Sequence, residues 1–81
     1  MNIPKEALEH GNEPATEAFI EAALKDVEEY VDYIEGKFYV KLTSDREGLI
    51  RAKDEWKSMT YAQVAFMASY WKKGLDDRYD Q

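Results

Sequence analysis

Five apolar residues recur between Pro14 and Glu35 at a spacing that suits a helix and little else. Ile20, Leu24, Val27, Val31 and Ile34 follow one another at intervals of 4, 3, 4 and 3, which is the buried seam of an amphipathic α-helix. Pro14 stands near the start, no Gly or Pro interrupts the run, and Gly36 follows as a candidate C-cap. Such a helix is about 33 Å long at 1.5 Å per residue. The rest of a small chain has to pack around it.

The same segment carries the unbalanced charge. Glu17, Glu21, Asp26, Glu28, Glu29, Asp32 and Glu35 face one cation, Lys25, so the segment sums to −6, as does the whole chain. With the seam at zero and 100° per residue, Glu17, Glu21, Glu28, Asp32 and Glu35 fall at about 60–120°. Phe19, Ala23, Tyr30 and Tyr33 fall at about 220–300° on the other side. One flank is therefore a carboxylate stripe and the other is aromatic, so the helix should be central and packed on two sides. Like charges four residues apart, such as Glu17/Glu21 and Glu28/Asp32, each cost a few tenths of a kcal/mol. A surface with no task beyond solubility usually alternates its signs.

Downstream, Phe38, Val40 and Leu42 alternate with Tyr39 and Lys41. That period predicts a short extended segment at Lys37–Thr43. A strand needs a partner. Gly48–Ala52 could pair back as a hairpin, or the segment could lie on the helices or pair with another copy. Ser44–Ser58 also reads as a helix, with Ser44 and Glu47 as a capping box and Leu49, Ala52, Lys53 and Trp56 as its inner face. Gly48 weakens that reading. Thr60–Lys73 is a second strong helix, opened by a Thr60/Gln63 capping box, with Val64, Met67, Ala68 and Trp71 facing inward. Gly74 is the expected C-cap, Leu75 folds back on the last turn, and Leu75–Gln81 is a frayed polar tail. Pro4–His10 is a candidate short helix stopped by Gly11.

The expected fold is one small, mainly α domain (small α or α+β) spanning residues 1–81. Three to four helices surround the central acidic one, with one short extended segment or hairpin. Residues 1–12 and 76–81 are expected to be loosely ordered.

Several function classes find no support. The chain has no cysteine and one histidine, His10, and no nucleophile motif surrounds Ser44, Ser58 or Ser69. No catalytic residue is expected. Neither the Glu-x-x-His pairs of a di-iron bundle nor an aspartate-rich calcium loop is present, so no metal and no cofactor are expected. Lys and Arg are not clustered as direct contact with nucleic acid or an anionic membrane requires. No apolar run approaches the roughly 18 residues that span a bilayer. A cysteine-free chain suits a cytoplasmic setting.

These features point to a small acidic, non-enzymatic interaction protein. Glu17, Glu21, Glu28, Asp32 and Glu35 would dock on a basic, nucleic-acid-binding surface of a partner protein, the carboxylates standing in for phosphates. The alternative is a structural or assembly component that self-associates as a homodimer through an aromatic face, with Phe66, Tyr70 and Tyr39 exposed and the Phe38–Leu42 segment assisting.

Overall fold

The computed structural model describes residues 9–79. The chain is mainly helical. Among these residues there are three α-helices, α1 (Glu17–Phe38), α2 (Thr43–Glu55) and α3 (Tyr61–Tyr79). A single 3₁₀ turn, Trp56–Ser58, joins α2 to α3. The expected Pro4–His10 helix lies almost wholly outside the described residues.

The helices run up, down and up. The Arg46 side chain at the start of α2 meets Asp32 and Glu35 near the end of α1, and Lys53 late in α2 lines one groove with Glu21 early in α1, so these two helices are antiparallel. Phe19 meets Tyr61 near the two helix starts and Phe38 meets Tyr79 at the two ends, with ring centroids 4.7 and 5.9 Å apart. α1 and α3 are therefore parallel, and both α2 and α3 pack against α1. The seam of α1 enters the core as the hydrophobic pattern demands: Ile20, Val27, Val31 and Ile34 are buried. Leu42, Leu49, Ala52, Trp56, Val64, Ala68 and Leu75 close around them. No polar or charged residue is buried among the described residues.

The helix starts are each satisfied differently. Thr16 caps α1, its Oγ1 accepting from the Phe19 N–H at 3.2 Å. Thr60 and Gln63 form the reciprocal box foreseen for α3, at 2.9 and 3.2 Å. The first N–H groups of α3 have no partner inside the helix. The N–H of Tyr61 donates to the Glu13 carbonyl and that of Ala62 to the Gly11 carbonyl. An isolated antiparallel bridge between Pro14 and Thr60 holds this strap in place.

Lys37–Thr43 is not a strand. α1 runs through Gly36 to Phe38, Tyr39 ends it in the left-handed conformation (φ 55°), and α2 begins at Thr43. Gly36 is thus helix interior, and Gly48–Ala52 is helical as well, so there is no hairpin. The alternation has a different cause. Phe38 and Val40 are half-buried and Leu42 is buried, while Tyr39 and Lys41 are exposed. The linker lays alternate residues on the end of the core without pairing to anything.

α2 also starts without its Ser44/Glu47 box. Leu42 is the N-cap and makes no side-chain cap bond. Lys53 is exposed rather than inward. Gly74 does not end α3, which continues to Tyr79. Leu75 is fully buried, Asp76 accepts a hydrogen bond from the Tyr30 hydroxyl, and Arg78 reaches Asp45. Residues 75–79 are therefore anchored helix, not a frayed tail.

Candidate interaction surface

Helix α1 presents Glu17, Glu21, Glu28 and Asp32 to solvent, with Glu35 half-buried. The five divide into two groups. Arg46, in the first turn of α2, donates from Nη2 to Asp32 at 2.6 Å and to Glu35 at 2.5 Å, and from Nε to Glu35 at 3.3 Å. The backbone N–H of Leu42 donates to the same Glu35 carboxylate at 2.8 Å. Glu35 thus accepts from the N-cap residue's own N–H, as the glutamate of a capping box does, and places a negative charge at the positive end of α2. The Arg46 hydrogen bond, followed by that of Leu42, holds the Glu35 carboxyl below its ordinary value of 4.5. Glu35 and Asp32 fasten two helices together and are not free carboxylates.

Glu17, Glu21 and Glu28 form no ion pair among the described residues, and they continue the stripe toward the start of α1. Beside them an open groove of about 490 Å³ lies between α1 and α2. Leu24 and Leu49 form its floor. Glu21, Lys25 and Glu28 line it from α1, and Arg46, Ile50 and Lys53 from α2. Ile50 is 75% exposed, although an isoleucine gains most when buried. Neither Ile50 nor Arg46 belongs to a motif or an apolar seam in the sequence. The signal for Ile50 was its position, next to Leu49 and off the Leu49/Ala52/Trp56 face, where a polar residue is expected.

The aromatic trio does not form one surface. Phe66 and Tyr70 share the outer face of α3, stacked with centroids 5.8 Å apart and planes at 11°. Tyr39 sits beyond the end of α1, 94% exposed, and makes no ring contact with either. Within Phe38–Leu42 only Phe38, Val40 and Leu42 turn toward the core.

His10 bonds the Glu13 carboxylate and lies 6.4 Å from the Tyr61 ring. Its side chain is half exposed. Among the described residues no group of three or more metal-binding side chains is assembled, and no helix is long and apolar enough to cross a membrane. No family model, curated protein or solved structure matches this chain.

Proposed function

We propose that the chain is a small non-enzymatic interaction protein that docks its α1–α2 face on a basic surface of a partner protein, of the kind that otherwise grips nucleic acid. The exposed Ile50 carries this reading. An apolar side chain rising from a groove beside the unpaired Glu21 and Glu28 has the anatomy of a binding surface, with an apolar anchor inside a charged rim. Glu17, Glu21 and Glu28 steer the approach of a cationic surface and set its orientation. Ile50, Leu24 and Leu49 then slow its departure. The docking set is thus narrower than the full stripe, because Asp32 and Glu35 are spent on Arg46.

Affinity capture from native lysate tests the reading, at about 50 mM and about 500 mM salt, a change that shortens the Debye length roughly threefold. Two variants accompany the native chain: the triple change Glu17→Gln, Glu21→Gln, Glu28→Gln, and Ile50→Ser. The expected result is a partner with a basic surface, bound at low salt, weakened at high salt and lost from both variants. In purified form the triple variant should associate with it about ten times more slowly. A partner held equally well by both variants would remove the proposal.

A further inference from the structure

The outer face of α3 is uncharged as far as Trp71, in an otherwise highly charged molecule; Lys73 and Asp77, exposed and paired with each other, follow on the same face. Charged residues make up 35% of the chain, yet residues 58–71 contain none. Phe66 and Tyr70 stand on that face 65% and 63% exposed, one helical turn apart and stacked. One turn before Phe66 lies Ala62, exposed and small, at the edge of a shallow groove of about 370 Å³ shared with Met59, Gln63 and Met67.

We infer that this face pairs with a second copy of the chain, α3 against α3 and antiparallel, with Phe66 on the two-fold axis. Two observations select a second copy over another occupant. The first is shape. Ala62 and Tyr70 lie four residues to either side of Phe66, so an antiparallel pair centred there sets each Tyr70 over the partner's Ala62. The large ring meets the small residue and its groove at both ends, the self-complementarity that a two-fold interface requires. The second is charge. Copies of a chain at −6 repel, and the repulsion is least over residues 58–71, where the approaching faces carry no carboxylate; the nearest one, Asp77, is paired with Lys73. A basic partner is drawn to α1, whereas a second copy is turned away from α1 and admitted at α3. The inference does not rest on the proposed docking function, because the two faces share no residue.

Sedimentation equilibrium of the full chain, up to about 1 mM, tests it at low and high salt. The expected result is a monomer–dimer equilibrium that salt leaves unchanged or strengthens, since screening removes only repulsion. Phe66→Asp should raise the dissociation constant at least tenfold with the helical circular dichroism retained, and Tyr70→Ser should act in the same direction. Ala62→Phe separates this register from general stickiness. It enlarges the apolar patch but fills the seat of the opposing tyrosine, so here it should weaken the dimer. A chain monomeric throughout the range, or a dimer strengthened by Ala62→Phe or indifferent to Phe66→Asp, would overturn the inference.

Discussion

Three glycines lie within helices, and their surroundings separate them. A Cβ built on Gly36 meets nothing within 4 Å, and the same holds for Gly74. Neither has a positive φ, so the conformational freedom of glycine is unused and only its entropic cost remains. Gly36→Ala should therefore stabilise the fold by about 0.5–1 kcal/mol, read as a higher urea midpoint. Gly48 differs. A Cβ there would lie 3.1 Å from Trp71 Cη2 and 3.2 Å from Cζ2. That ring cannot easily yield, because its Nε1 donates to Asp45 at 2.8 Å and its edge packs on Trp56. Overpacking of about 1–3 kcal/mol should exceed the gain in helix propensity. Gly48→Ala should lower stability by about 1 kcal/mol, and an increase would show that Trp71 is free to move. The sequence places all three glycines alike, as breaks or weak points. Only the neighbours tell them apart.

At the scale of elements, the apolar seam of α1 was legible because burial on one face leaves a periodic trace. The helix ends were not. Gly36 faces solvent, where the absent side chain costs no contact, and Phe38 gains a packing partner in Tyr79 by staying helical. The alternation at 38–42 correctly marks burial on one side, but period two does not distinguish a paired strand from a linker resting on a core. The Glu35–Arg46 clamp was hidden for another reason. Its members are 11 residues apart and meet only because α2 folds back on α1. That clamp makes stability depend on pH. Glu35 has a lower pKa folded than unfolded, so its contribution is complete above its ordinary value of 4.5 and is lost as the pH falls through the folded value. Glu35→Gln should reduce the urea midpoint at neutral pH. It should also remove part of the native decline on acidification below about 4.5. Parallel pH profiles for the native chain and the variant would show that the carboxylate does not anchor α2. For the same reason, a test of docking that reverses Asp32 disturbs the fold as well as the surface.

Across the whole molecule, the charges sort by location. Asp26 is taken by Lys72 at 2.6 Å and Asp45 by Arg78 and Trp71, while the carboxylates near the start of α1 are left to solvent. The acidic stripe was legible as composition, but its division into clamp and free surface depended on which cations α2 and α3 bring near. The last turn of α3 shows how little stability stands behind this arrangement. A chain of 81 residues has on the order of 4–12 kcal/mol in total. Leu75 continues the Val64, Ala68 and Trp71 face one turn further and is completely buried, although the preceding Gly74 reads as a stop. Leu75→Ala should cost about 2–5 kcal/mol, the range for truncating a buried leucine. That is a large fraction of the total, so the variant should show a visibly lower thermal midpoint and reduced helicity at ambient temperature. A loss below about 0.5 kcal/mol is what a surface position gives. It would mean that the helix ends near Gly74, and that Phe38 and Tyr30 lose the contacts from Tyr79 and Asp76 that hold the end of α1.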